Sequence, residues 1–210
     1  MFNSTLFNQF IIDNHVIGIH DNPITLKSGK KSHLYINWRH ISNNSLLLEQ
    51  SAHFVINFCN HHNLTPDCFY GVPEGATKLG ILTQYIFNKT YANNQQLCMG
   101  RAKPKEHGSP TDKFFIGEPT GKIIILEDVI TTGQSLFNTV DQLQALNKDI
   151  LACISLTNRE PNSTKNVVEN QLKQRNIKYY TLSDAKTLLT QLKNQTPEKS
   201  KLINLELNQL

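Results

Sequence analysis

From residue 68 to residue 192, short runs of branched and aromatic residues take turns with longer segments whose apolar residues recur at helical spacing. CFYGV (68–72), QLCMG (96–100), KIIILE (122–127), ILACISL (150–156) and IKYYTL (177–182) read as strands. ATKLGILTQYIF (76–87), SLFNTVDQLQAL (135–146), KNVVENQLKQ (165–174) and a stretch from Ser183 or Asp184 to about Leu192 read as helices. A helical crossover returns the chain to the same edge of a sheet, so the next strand lies parallel. The fold class is therefore α/β, with a central, mostly parallel sheet flanked by helices.

Upstream, residues 5–17 carry Leu6, Phe10, Ile11 and Ile17 at near-helical spacing, with Ser4 as N-cap. A turn and short strand follow over 23–38, and an amphipathic helix over 45–62. Residues 1–210 form one domain: an N-terminal segment (1–40), a core (45–192) and a tail (193–210) whose pattern assigns no element. A hydrophobic fraction of 39% supplies a packed core, and a net charge of +4 suits an anionic small molecule. That excess is too small and too scattered for a nucleic-acid surface. Cys59, Cys68, Cys98 and Cys153 are far apart, with no CxxC pair and no zinc-type spacing, and read as reduced, mostly buried thiols. No basic segment precedes an apolar run at the N-terminus, and no apolar stretch reaches the ~20 residues of a membrane span. The expectation is a soluble, cytoplasmic protein.

In a parallel sheet, ligands bind beyond the carboxyl ends of the strands. Four such ends are polar or glycine-bearing: PEGATK (73–78), RAKPKEHG (101–108), EDVITTGQS (127–135) and TNRE (157–160). In the third, a buried strand runs into Glu127 and Asp128 and then a hydroxyl-rich turn. Thr131, Thr132, Gly133, Gln134 and Ser135 offer hydroxyls and the free N–H groups of a helix start, a cradle for a monophosphate. Carboxylates repel phosphate, so Glu127 and Asp128 are expected to face hydroxyls or a cationic centre that forms during reaction. GEPTGKI (117–123) is not a Walker loop: three residues intervene where four are needed, Ile123 follows the lysine, and a strand follows instead of a helix. There is no GxGxxG sequence.

IIILEDVITTGQS (123–135) resembles the phosphoribosyl diphosphate (PRPP) signature of type I phosphoribosyltransferases. ITLKSGKKSHLYIN (24–37), GVPEGA (71–76), RAKPKEHG and SLTNRE (155–160) resemble, in family order, segments of the orotate phosphoribosyltransferases. The resemblance implies the type I fold with a small N-terminal hood. It implies a glycosyltransferase that moves ribose 5-phosphate from PRPP to orotate, giving orotidine 5′-monophosphate and pyrophosphate in de novo pyrimidine synthesis. Magnesium is implied, held mainly through PRPP with no firm protein ligand. So is a homodimer whose 101–118 loop is shared across subunits. Orotate is expected at Lys27, Tyr35, Ile36, Thr131 and Arg159, and PRPP at Glu127, Asp128, Thr131 to Ser135, Arg101, Lys103, Lys105 and His107.

The chemistry fits these residue types. Loss of pyrophosphate builds positive charge on the ribose, beside Glu127 and Asp128, and negative charge on the leaving group. Arg101, Lys103, Lys105 and His107 are cations on a loop able to close and exclude water. Arg159 presents a planar fork suited to a carboxylate. Two departures stand out. Ala102 occupies a place that is basic in many relatives, so either Lys103 substitutes or one pyrophosphate contact is lost. In several relatives the loop after the first core strand carries a lysine for pyrophosphate, whereas here it reads PEGATK, with Glu74 and Gly75 and with Lys78 a helical turn away. A transferase for another base and a PRPP-sensing regulator are the rival readings. Basic, carboxylate-seeking residues disfavour the first, and the presence of Lys105 and His107 disfavours the second.

Overall fold

The computed structural model describes residues 1–26, 29 and 31–210. In chain order the elements are α1 (Ser4–Asp13), β1 (Ile17–Thr25), β2 (Lys31–Ile36), α2 (Arg39–Ser42), α3 (Ser45–His61), β3 (Cys68–Gly71), α4 (Thr77–Tyr91), β4 (Met99–Gly100) and α5 (Pro110–Phe114). They continue with β5 (Phe115–Ile116), β6 (Lys122–Ile130), α6 (Gln134–Ala145), β7 (Asp149–Asn158), α7 (Val167–Gln174), β8 (Lys178–Asp184), α8 (Ala185–Gln195) and α9 (Ser200–Leu207). The central sheet has the order β3-β6-β7-β8, all parallel.

β6 is apolar on both faces because both are covered. Ile124 and Leu126 join Phe7, Val55, Leu79 and Leu188, from α1, α3, α4 and α8. Ile123 and Ile125 join Leu136, Val140, Val168 and Leu172, from α6 and α7. Asp184 is the residue that caps α8, its Oδ1 accepting from Thr187 N at 2.8 Å.

Several sequence expectations change. The first helix stops at Asp13, and its cap is Asn3, whose Oδ1 accepts from Leu6 N at 3.0 Å, not Ser4. His15 turns into the left-handed region (φ 53°), and Ile17 enters β1 instead of a fourth helical turn. Ile17 is buried in that strand, so its apolar character suited both readings. β1 pairs antiparallel with β2 (Ile17 opposite Ile36), making a two-stranded hood. QLCMG shrinks to a two-residue strand outside the parallel sheet. It pairs antiparallel with β5, which emerges with α5 from the stretch expected to be the 101–118 loop. The tail, unassigned in sequence, contains α9.

Candidate functional site

β6 outruns β3. Gly71 is paired with Leu126, whereas β6 continues along β7 as far as Ile130, opposite Asn158. The acidic pair therefore lies within the strand, not after it, and strand alternation sends its members to opposite faces. Glu127 lies on the α6–α7 side, 6% exposed. One of its oxygens accepts from Asp128 N at 3.3 Å, and its charge helps burial hold the Cys153 thiol above its ordinary pKa. Asp128 faces the α3 side and lines a groove with Trp38, Ser42, Gly75, Ala76 and Leu156. Its Oδ1 accepts from Val129 N at 2.8 Å. The Gly75 backbone passes so close that a Cβ there would lie 2.6 Å from Asp128 Oδ2.

After Ile130 the chain turns through Thr131 and Thr132 into α6. Gly133 takes φ 75°, and its position makes no side-chain cap bond to the helix. Among the described residues no side chain is bonded to the first-turn N–H groups, which open the helix just beyond the carboxyl end of β6. The glycine itself has an internal reason. A Cβ on Gly133 would meet the Phe137 ring at 2.8 Å and Val168 Cγ2 at 2.9 Å. Positive φ and helix packing demand glycine there, beyond any approach by a ligand.

Arg159 follows β7, its N–H bonded to Ile130 O at 2.7 Å, which sets it beside the hydroxyl turn. Its neighbour Glu160 does not pair with it in the hydrogen-bond network. Glu160 accepts from Asn158 Nδ2 at 3.1 Å and from Val168 N at 3.0 Å. Arg159 Nη2 instead donates to Ser32 Oγ at 2.7 Å. Burial lowers the Arg159 pKa, and the Glu206 carboxylate opposes that shift. Ser32 donates to Glu206 Oε2 at 2.7 Å, and His33 N donates to Glu206 Oε1 at 2.6 Å. Trp38 Nε1 donates to Thr157 Oγ1 at 3.1 Å, fixing the indole on the β7 side of the groove.

Other expected residues are placed as follows. Tyr35 is exposed and shares a face of β2 with His33, opposite the Ser32 face. Ile36 is buried in the core. Lys27 lies outside the described residues. The loop after β4 is exposed at Lys103, Lys105 and His107. Backbone bonds Arg101 N to Phe114 O (2.8 Å) and Lys105 N to Lys113 O (2.9 Å) fold it against α5, as does Arg101 Nε to Asp112 O (3.0 Å). At its base, Gly100 lies against Tyr70 and Pro73 with no room for a Cβ. Lys78 Nζ donates to Ser42 O and Asn43 Oδ1, each at 3.2 Å, which ties it to the α2–α3 turn.

Ser32, Trp38, Thr157 and Glu206 escaped the sequence reading. A signal for Glu206 did exist. It lies three residues from Ile203, the other buried residue of α9, on the apolar phase of that helix. Among the described residues no group of three or more His, Cys, Asp or Glu could hold a metal ion. No helix there is long and apolar enough to cross a membrane.

No family model matches the chain. Curated relatives by sequence include the orotate phosphoribosyltransferases of Caenorhabditis elegans and Buchnera aphidicola. The first is 28% identical over 147 residues, 70% of this chain and 62% of that protein. The second is 28% identical over 180 residues, 84% and 85% of the two chains. Among solved structures, Leishmania donovani UMP synthase superposes with a TM-score of 0.74 at 17% identity, covering 97% of this chain and 42% of that one. Orotate phosphoribosyltransferase from Francisella tularensis gives 0.68 at 17% identity, covering 96% and 95%. The match thus spans less than two thirds of the nematode protein and of the Leishmania chain. The fold is that of the type I phosphoribosyltransferases.

Proposed function

We propose that the chain is an orotate phosphoribosyltransferase, transferring ribose 5-phosphate from PRPP to orotate to give orotidine 5′-monophosphate and pyrophosphate, a step toward UMP. The observation that carries this is a convergence on one sheet edge. Asp128, the uncapped start of α6 and the Arg159 guanidinium stand at the ends of the neighbouring strands β6 and β7.

Each part supplies one requirement. The α6 N-terminus, with Thr131, Thr132 and Ser135, binds the 5′-phosphate through N–H and hydroxyl donors. Asp128 accepts from the ribose hydroxyls. With Glu127 behind it, it offsets the positive charge that grows as the bond to pyrophosphate lengthens. Arg159 takes the orotate carboxylate, and Lys27 and the β2 backbone complete the base site. Arg101, Lys103, Lys105 and His107 neutralise the departing pyrophosphate. Lys103, Lys105 and His107 are exposed in this single chain and able to reach a partner subunit, and the active form is a homodimer sharing the 101–118 loop.

The carboxylate oxygens of Asp128 at the groove fit a hard cation held mostly by the substrate. Such an ion, held mainly through PRPP, would supply charge neutralisation for the PRPP phosphates. The four cysteines are free and buried, in keeping with the cytoplasm.

The test is purified protein with PRPP, magnesium and orotate, following pyrophosphate release and orotate loss together. Equal amounts of both support the reading. No release above the orotate-free control refutes it.

A further inference from the structure

The Glu206 carboxylate comes from α9, at the far end of the chain, yet it ends beside the arginine assigned to the base. Ser32 and Glu206 are 2% and 3% exposed, so their polar atoms must find partners inside the protein. The partners can be counted. A serine hydroxyl has one proton and two lone pairs. Leu34 N donates to Ser32 Oγ at 3.1 Å, and Arg159 Nη2 donates to it at 2.7 Å, filling both lone pairs. The hydroxyl proton has two acceptors within reach, Glu206 Oε2 at 2.7 Å and Leu34 O at 3.3 Å. The shorter, charged acceptor holds it. Glu206 Oε1 is already committed to His33 N at 2.6 Å.

We propose that Glu206 is a positioning residue of the base site: by holding the Ser32 hydroxyl proton it turns the Ser32 lone pair to Arg159 and fixes the guanidinium that receives the substrate carboxylate. The inference rests on the proposed function for the role of Arg159, and it makes the C-terminal helix part of that site. The surrounding contacts agree. Lys199 Nζ donates to Ile19 O of the hood at 2.7 Å, and Asn162 N donates to Gln209 O at 3.0 Å. The tail therefore grips both the hood and the segment just after Arg159.

Glu206→Gln is nearly isosteric, yet the network cannot absorb it. If the amide oxygen stays on His33 N–H, the amide NH₂ becomes a third donor on Ser32 Oγ, which has two lone pairs. If the amide flips, NH₂ meets the His33 N–H. Ser32→Ala removes the relay and leaves the Glu206–His33 bond in place.

The experiment is steady-state kinetics on wild type and both variants, varying orotate at saturating PRPP and then the reverse. KM does not depend on the fraction of enzyme that is folded, so partial loss of stability does not blur the result. The expected outcome for both variants is an orotate KM raised about tenfold, the loss of roughly one charge-assisted bond, with PRPP KM within about twofold of wild type. Three results overturn the inference: unchanged orotate KM in both variants, equal rises in both KM values, or a rise in Glu206→Gln without one in Ser32→Ala. Wild-type protein that does not turn over orotate at all would instead refute the proposed function, and the inference with it.

Discussion

Gly75→Ala probes the placement of Asp128 without touching a reacting group. The new Cβ would lie 2.6 Å from Asp128 Oδ2, 2.9 Å from Cγ and 3.0 Å from Oδ1. The nearest of these is about 0.8 Å inside ordinary contact distance. The carboxylate is not free to swing away, since its Oδ1 is held by Val129 N at 2.8 Å. Either the carboxylate or the 73–76 loop must therefore shift by most of an ångström. A misplacement of about 1 Å at a reacting centre can cost on the order of 100-fold in rate. We expect kcat/KM for PRPP to fall between about 10- and 100-fold, while the melting temperature moves by only a few degrees. Initial rates by pyrophosphate release, beside a thermal melt, provide the assay. A variant with wild-type kcat/KM and an unchanged melt would refute the claim that Asp128 must sit where it does.

Further outcomes follow from the same structure. Lys105→Ala alters an exposed loop residue, so turnover should fall at least about tenfold with an unchanged melting curve; retained turnover would remove Lys105 from the mechanism. Gly133→Ala meets both positive φ and the Phe137 and Val168 side chains, and should cost about 2–4 kcal/mol in urea unfolding. Stability should decline with alkaline pH, because burial pushes the Cys59 thiol from 9.0 up to about 12. A raised folded-state pKa stabilises fully below the unfolded value, and that contribution is lost as pH rises from about 9 toward 12. At pH 10 this amounts to roughly 1 kcal/mol from Cys59, and a Cys59→Ala variant should show a shallower decline in chemical-denaturation curves.

The parallel sheet was legible because β6, β7 and β8 are branched or aromatic runs separated by helices of distinct period. The candidate phosphate site was legible because its parts, from Ile123 to Ser135, are contiguous in the chain. Its finer geometry was not. Residue order shows Glu127 and Asp128 as neighbours, but the pairing of β6 with β7 through Ile130 is what sends them to opposite faces. Gly133 illustrates a different limit, since part of its reason lies in Val168, 35 positions later. The proposed base site was least legible, because it is assembled across distance. Ser32 meets Arg159 and Glu206 at separations of 127 and 174 residues, and no local pattern records such a meeting. The hood was half seen: the β2 alternation was visible, whereas the apolar Ile17 fitted a helix and a strand equally well.

In the proposed function one sheet edge holds PRPP through β6 and α6 and selects its acceptor through Arg159. A base competition puts this to the test. Equal concentrations of orotate, uracil and hypoxanthine are supplied with limiting PRPP and magnesium, and the nucleotide products are separated and counted. Orotidine 5′-monophosphate as the dominant product, falling sharply in Arg159→Ala, is the predicted result. A dominant uracil or hypoxanthine nucleotide, or an orotate product unaffected by Arg159→Ala, would contradict it.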